Sequence, residues 1–193
     1  MSFTLQIKNL CKEYNGTEVL KGFTASLSAP GIYCLMAPSG AGKTTLFRII
    51  LGLEKADSGS VSASAREIRF SAVFQEDRLV SHLSPIENTA LVMPGKPDRE
   101  AIKKEMLQLL PEESLNRPVS ALSGGMKRRC AFFRAMAAAS DVVIMDEPFT
   151  GLDDANRDNV IRYLLEHRNN RLFLIATHDR EDAGKLGGKI LTF

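Results

Sequence analysis

The 193-residue sequence has no apolar run long enough to cross a membrane. Stretches such as 142–145 and 172–176 are strand-sized, far below the ~18 residues a span requires. It also lacks a charge bias: 25 Lys and Arg stand against 23 Asp and Glu, a formal +2, so nothing in the total points to a nucleic-acid partner. Cysteine is sparse. Cys11, Cys34 and Cys130 form no C-x-x-C pair, and an odd count suits a reducing compartment better than a disulfide framework. Cys34, inside an apolar stretch, reads as a small core residue. The opening MSFTLQIKN has no basic segment followed by an apolar one, so a secretory signal is not expected and a cytoplasmic setting is the default. The length suits one compact domain with room for an inserted subdomain.

What the sequence does have is a strand, loop and helix pattern at 31–51. The apolar run GIYCLM breaks into APSGAGKTT and continues into the helix-compatible LFRIIL. In that context a glycine-bearing loop reads as a phosphate loop. Backbone N–H groups in the turn and at the new helix start have no intrahelical partner and can hold phosphate oxygens. Gly40 and Gly42 admit close approach of the main chain, because a Cβ would stand between amide and phosphate. Lys43 is placed to reach the β- and γ-phosphates as a point charge, and Thr44 to offer its hydroxyl to Mg²⁺. One position departs from G-x-x-x-x-G-K-[ST]: Ala37 stands at the first glycine. A positive φ there costs alanine about 1–2 kcal/mol and a β-like φ almost nothing. Nucleotide binding is expected to survive.

The first third reads mostly as strands. Segment 4–8 alternates around Leu5 and Ile7, and 19–27 continues with Leu20, Phe23 and Leu27, after a turn signal at Tyr14-Asn15-Gly16. Tyr14 is open to two readings, a ring packed beside a turn or a ring stacked on a purine, and spacing alone favours the first. Segment 55–60 reads as a turn and 68–74 as a strand. Ser84-Pro85-Ile86-Glu87 has capping-box spacing with proline at the first helical position. Asp98 is placed to cap a second helix, with Ile102, Met106, Leu109 and Leu110 on one face. Residues 76–139 therefore read as a helical subdomain inserted between core segments 1–75 and 140–193. The continuous apolar run 142–145 fits a parallel strand covered on both faces. Asp154 is placed to cap a helix through Arg168. Segment 171–177 reads as a strand, 179–186 as a short helix stopped by Gly187-Gly188, and 189–193 as a last strand. Alternating strands and helices predict an α/β domain of three layers with a parallel sheet.

Asp146 and Glu147 follow the 142–145 run directly. Carboxylates at the carboxyl end of a parallel strand fall in the crevice where such sheets bind ligands. Asp146 is placed to hold Mg²⁺ and Glu147 to polarise a water toward the γ-phosphorus. Between this pair and the phosphate loop lies Leu122-Ser123-Gly124-Gly125-Met126, followed by Lys127-Arg128-Arg129. A serine and two glycines opening a helix make a second anion cradle by the same backbone argument. One nucleotide has no use for two cradles so far apart in sequence, so the second should serve a nucleotide held elsewhere. The basic residues 127–129 and Arg134 read as a solvated helix face, and His82 and His167 as surface or packing residues.

Taken in this order, the motifs resemble those of the ATPase subunit of an ATP-binding cassette (ABC) transporter, and the resemblance runs the length of the chain. Residues 37–44 match the Walker A loop, 122–126 the LSGGQ signature and 142–147 the Walker B strand with its glutamate. Gln75 matches the Q-loop, Asp153 in Gly151-Leu152-Asp153 the D-loop, and His178 in Thr177-His178-Asp179 the switch histidine. The resemblance implies a P-loop NTPase core with an N-terminal antiparallel β subdomain and the helical insertion. It also implies ATP and Mg²⁺ as ligands. Ser39, Gly40, Ala41, Gly42, Lys43, Thr44 and Thr45 would hold the nucleotide, Tyr14 would stack on adenine, and Thr44, Gln75 and Asp146 would surround the metal. Glu147, His178 and Gln75 would form the catalytic group. Two copies would pair head to tail, so that Ser123, Gly124 and Gly125 of one subunit contact ATP held by the other. A separate transmembrane permease on the cytoplasmic face of the cell membrane is the implied docking partner.

Two residues depart from the family pattern, Ala37 and Met126. Methionine at the latter position is similar to importer ATPases of the nitrate, sulfonate and taurine group. The chain ends soon after the last expected strand, so a C-terminal regulatory domain is not expected. Alternative readings are an ABC protein acting on DNA or the ribosome, a phosphate-loop kinase, and a degenerate nucleotide sensor. The first would bring long coiled coils or a second cassette, the second would have no use for 122–126, and the third rests on Ala37 and Met126.

Overall fold

The computed structural model describes residues 2–193. Strands β1 (Phe3–Tyr14) and β2 (Thr17–Ala29) form a long hairpin. Asn15 and Gly16 close it with φ of 50° and 82°, the left-handed pair that an Asn-Gly turn favours. β3 (Gly31–Leu35) then leads through the phosphate loop into α1 (Lys43–Ile50).

The expectation of a turn over 55–60 needs correction, because Ser58 to Ser60 belong to β4 (Ser58–Ala63). This strand pairs antiparallel with β1 and completes a three-stranded sheet in the order β2-β1-β4. Its sequence, SGSVSA, carries one large apolar residue, so the period-two signal is faint. Pairing with Leu5 to Lys8 of β1 recruits it rather than any strand propensity of its own.

The remaining elements are β5 (Phe70–Val73), α2 (Pro85–Ala90), α3 (Arg99–Met106), α4 (Gly124–Ala137), β6 (Val142–Asp146), α5 (Asp154–Glu166), β7 (Leu172–Ala176), α6 (Arg180–Leu186) and β8 (Lys189–Leu191). Five strands form a parallel sheet ordered β5-β6-β7-β3-β8. Both faces are covered, which is why β7 is apolar throughout and β6 is apolar up to its last residue, Asp146. Alternate residues of β6 divide between two cores. Val142 and Ile144 join α1 and the antiparallel sheet, whereas Val143 and Met145 join a cluster drawn from α2 to α6.

The helix starts follow local chemistry. Ser84 Oγ accepts from the Glu87 amide at 3.2 Å while the Ser84 amide donates to Glu87 Oε2 at 2.9 Å, a complete capping box. Asp98 caps α3 as its position predicted. At α5 the cap is Asp153 rather than Asp154. The Asp153 carboxylate accepts from the Asn156 amide at 2.9 Å, its carbonyl accepts the Arg157 amide at 2.8 Å, and the helix ends at Glu166 instead of Arg168. Adjacent aspartates left the sequence ambiguous by one residue; the backbone bond decides it.

Sheet order has one consequence for function. β5, β6, β7 and β3 are neighbours, so the segments leaving their carboxyl ends lie side by side. Those segments carry Gln75, the Asp146–Glu147 pair, His178 and the phosphate loop. A parallel sheet collects distant residues at one edge in this way.

Candidate nucleotide site

The loop after β3 is shaped by two left-handed glycines. Gly40 has φ of 80°, and Gly42 has φ of 94°, where a Cβ would meet the Val19 carbonyl at 2.8 Å. Gly42 is thus required twice, by conformation and by space. Ala37 is not among the residues with positive φ, so its replacement of glycine carries no left-handed strain. Helix α1 begins at Lys43 with no side chain capping its start and no acid in its first turn, which leaves its amides available to an anion.

A cavity of about 450 Å³ opens over this loop. Ser39, Gly40, Gly42, Lys43, Thr44, Thr45, Gln75, Asp146 and Glu147 line it. Val19, which the sequence offered only as a strand residue, lines it too, and its side chain and carbonyl fill the space a Cβ on Gly42 would need. Ala41 does not line it, and its amide closes a turn onto the Pro38 carbonyl at 3.2 Å. Lys43, 8% exposed, donates to the Ala37 carbonyl at 2.6 Å and the Pro38 carbonyl at 3.3 Å. Its ammonium also lies 3.7 Å from Glu147 Oε1.

The Thr44 hydroxyl donates to Asp146 Oδ2 at 2.6 Å, joining residues 102 apart in sequence. His178 Nδ1 lies 2.9 Å from Glu147 Oε2. Glu147 has φ of 51°, a left-handed conformation that a non-glycine residue adopts only when its surroundings hold it there. Among the described residues no three His, Cys, Asp or Glu side chains converge as a metal site. A Thr–Asp oxygen pair by itself fits Mg²⁺, which takes one or two carboxylates and completes its shell from phosphate and water.

Tyr14 ends β1 and is not part of the cavity wall. Its phenol donates to Glu54, which also pairs with Arg48 at 3.3 Å, and the Lys12 ammonium sits 5.2 Å from its ring centre. Burial pushes the phenol pKa up and the Glu54 carboxylate adds to this, while the Thr45 hydroxyl opposes. Glu54 was not singled out by sequence, and its position in the tail of a turn offered no signal.

Ser123, Gly124 and Gly125 are not brought to the cavity. They open α4, where Ser123 Oγ accepts from the Met126 amide at 3.3 Å. Gly125 instead neighbours the next motif, since a Cβ on it would lie 3.6 Å from the Gly151 carbonyl and 3.5 Å from Leu152. The signature and the 151–153 turn thus form a second cluster, with Ser123 and Gly124 exposed. Met126 is half-buried against the helical core, the place of a thioether rather than a hydrogen-bonding amide.

The solvated basic face expected at 127–129 and Arg134 forms only in part, with Lys127 and Arg129 half-exposed. Arg128 is buried and donates to the Phe74 and Gln75 carbonyls at 2.7 and 2.6 Å. Arg134 donates to the Arg78 carbonyl at 2.9 Å, and Arg129 to that of Leu109 at 2.5 Å. Loop carbonyls without a ladder partner drew these guanidinium groups inward. His167 packs, its ring stacked 4.0 Å from that of Tyr163.

Known proteins are similar to this chain over nearly its whole length. The chain is 34% identical to the sulfate/thiosulfate import ATP-binding protein CysA of Yersinia pseudotuberculosis, over 97% of this chain and 57% of that protein. It is 30% identical to the spermidine/putrescine import ATP-binding protein PotA of Mesoplasma florum, over 97% and 58%. The chain thus spans less than two thirds of the length of these relatives, and neither name is of the nitrate, sulfonate or taurine group. A dimeric bacterial ABC transporter cassette has the same fold, with a TM-score of 0.85, 24% identity, and coverage of 98% of this chain and 94% of that one. No helix among the described residues is long and apolar enough to cross a membrane. A family model described as ABC transporter matches residues 20–150, and on that match the chain belongs to the ABC transporter family.

Proposed function

We propose that this chain is an ATP-hydrolysing subunit that pairs with a second cassette, a second copy of itself in the simplest case, and drives a separate transmembrane permease from the cytoplasmic face. The observation that carries the reading is the meeting of Lys43, the Thr44–Asp146 pair and the Glu147–His178 pair at one edge of the sheet. ATP would lie with its phosphates over the amides of α1 and its base toward Tyr14. Arriving phosphate would draw Lys43 from the Ala37 and Pro38 carbonyls. Thr44 and Asp146, with Gln75 beside them, would hold Mg²⁺, which supplies charge neutralisation at the β- and γ-oxygens.

Glu147 accepts a proton as a water oxygen bonds to the γ-phosphorus, and the bridging P–O bond breaks to release ADP. His178, bonded to the same carboxylate, orients it and the water. The absence of positive φ at Ala37 removes one of the two grounds for a degenerate sensor. Ser123, Gly124, Gly125 and Asp153 stand apart from the cavity, which supports their service to a nucleotide held by the partner. Residues 76–139 would act as the helical insertion between 1–75 and 140–193. The relatives' names support import, with the solute set by other subunits.

The test is Glu147→Gln, assayed for phosphate release and for Mg·ATP binding. Turnover should fall by on the order of 10²–10⁴ while binding persists. Unchanged turnover would reject Glu147 as the base.

A further inference from the structure

The side chain of His178 is 72% exposed, so packing does not set its direction. The backbone of the turn between β7 and α6 sets it, together with the bond to Glu147 Oε2. That turn is held on both sides of the histidine. Thr177 is buried, its amide donates to the Leu35 carbonyl at 3.3 Å, and its hydroxyl accepts from the Asp179 amide at 3.1 Å. Asp179 caps α6 through Oδ1, which accepts from the Glu181 amide at 2.8 Å. Its other oxygen, Oδ2, accepts from Arg157 Nη1 of α5 at 3.2 Å. The turn is thus tied to β3 ahead of His178 and to α5 behind it.

An ion pair at a surface is ordinarily worth little. Arg157 differs from a free surface cation in what lies beneath it. Asp182, in the first turn of α6, is 3% exposed, and its Oδ1 makes no hydrogen bond among the described residues. The same Arg157 nitrogen lies 3.9 Å from that carboxylate oxygen. Burial raises the Asp182 carboxyl pKa, and Arg157 is the strongest pull the other way. Lys185, another cation at this seam, is committed to Asp158 and Glu181 at 2.7 and 2.8 Å. A buried carboxylate is costly to leave unpaired, so Asp182 keeps the guanidinium at the seam. We infer that Arg157 is a positioning residue for the reaction: seated on Asp182, it holds Asp179 and thereby fixes the turn from which His178 meets Glu147. This inference rests on the proposed hydrolysis reading and adds the groups that keep its histidine in place.

The experiment uses the full chain with Mg·ATP. Phosphate release by the unaltered protein comes first, and its absence rejects the hydrolysis reading and this inference together. Arg157→Met, Arg157→Lys and Lys185→Met are then compared for thermal midpoint, kcat, ATP affinity and, at one pH, the NMR ring signals of His178. The chain has three histidines, so His178→Ala identifies those signals, and Glu147→Gln gives their position once the carboxylate is lost. Arg157→Met should lose about tenfold in kcat with ATP affinity held within about threefold, and its His178 signals should move toward those of Glu147→Gln. Arg157→Lys, which keeps a point charge, should fall between it and the unaltered chain. Lys185→Met loosens the same seam without touching Asp179, and should keep kcat and ring signals whatever its thermal midpoint. Unaltered kcat or unaltered ring signals in Arg157→Met overturn the inference and leave the hydrolysis reading standing. A loss of ATP affinity in step with kcat, or an equal loss in Lys185→Met, overturns it too, since either makes the effect one of general packing. Should Arg157→Met fail to fold, the paired change Arg157→Met with Asp182→Leu removes the cation and the buried anion together and is read by the same criteria.

Discussion

Two helices of this protein begin with glycine-bearing turns, and they are built differently. α1 starts behind Gly42 with no side-chain cap, beside a buried lysine and facing two carboxylates across a cavity. α4 starts behind Ser123, whose hydroxyl oxygen already accepts from the Met126 amide, on an exposed surface outside that cavity. The first start has its amides open and its counter-charges in place. At the second, the Ser123 oxygen takes up the Met126 amide, while the serine's own O–H proton stays available to a phosphate. On the proposed reading, the first cradle draws its counter-charges from its own chain and the second serves a ligand held by another.

The largest expected break in this comparison is Gly42→Ala. Left-handed strain of about 1–2 kcal/mol adds to overlap with Val19 of about 1–3 kcal/mol. Urea midpoint and ATP affinity should fall together, and an unchanged midpoint would show that the α1 start tolerates a side chain after all. Ser123→Ala should cost about 1 kcal/mol of stability through the lost cap. In a Glu147→Gln background it should weaken Mg·ATP-dependent pairing, as read by analytical ultracentrifugation, while single-chain ATP affinity holds. Full pairing without the hydroxyl would leave the glycine amides as the whole second cradle.

Smaller effects sharpen the contrast. Ala37→Gly should destabilise by about 0.4–1 kcal/mol, because glycine frees the unfolded chain. ATP affinity should not change, and a gain would show that alanine compromises the loop. The smallest effect concerns Asp77, in the loop after β5 beside Arg128. Burial holds the Asp77 pKa above its ordinary value, so the folded state binds the proton more tightly than the unfolded chain does. Stability from this group therefore falls as pH rises from the unfolded value, about 3.9, through the raised folded one. Asp77→Asn removes that dependence. Thermal midpoints should shift in favour of the unaltered protein on going from pH 7 to pH 4, relative to the variant, and a shift of opposite sign would contradict the burial.

Much of the site was legible because its signals are short. Gly40, Gly42, Lys43 and Thr44 lie within a few residues of one another, and the Ser84–Glu87 box spans a single turn. Asp146 and Glu147 were legible by their place after a continuous apolar run. β4 was not, because five of its six residues are small and its partner supplies the order. Arg128 was not either. In a basic run every residue reads as solvent-facing, yet successive helical positions point about 100° apart. Lys127 and Arg129 stay half-exposed while Arg128 turns inward. The Ala37 question needed a backbone angle that composition does not encode.

The chain's own spelling settled what is decided within a turn or two: where helices begin, which strands are covered on both faces, and which loops offer bare amides to an anion. Packing alone settled what crosses long separations. Thr44 meets Asp146 over 102 positions and Arg128 meets Phe74 over 54, contacts that exist only once the parallel sheet has ordered its strands. Local backbone chemistry acts at any single residue, whereas the partner of a buried polar group is chosen by every element that must first enclose it.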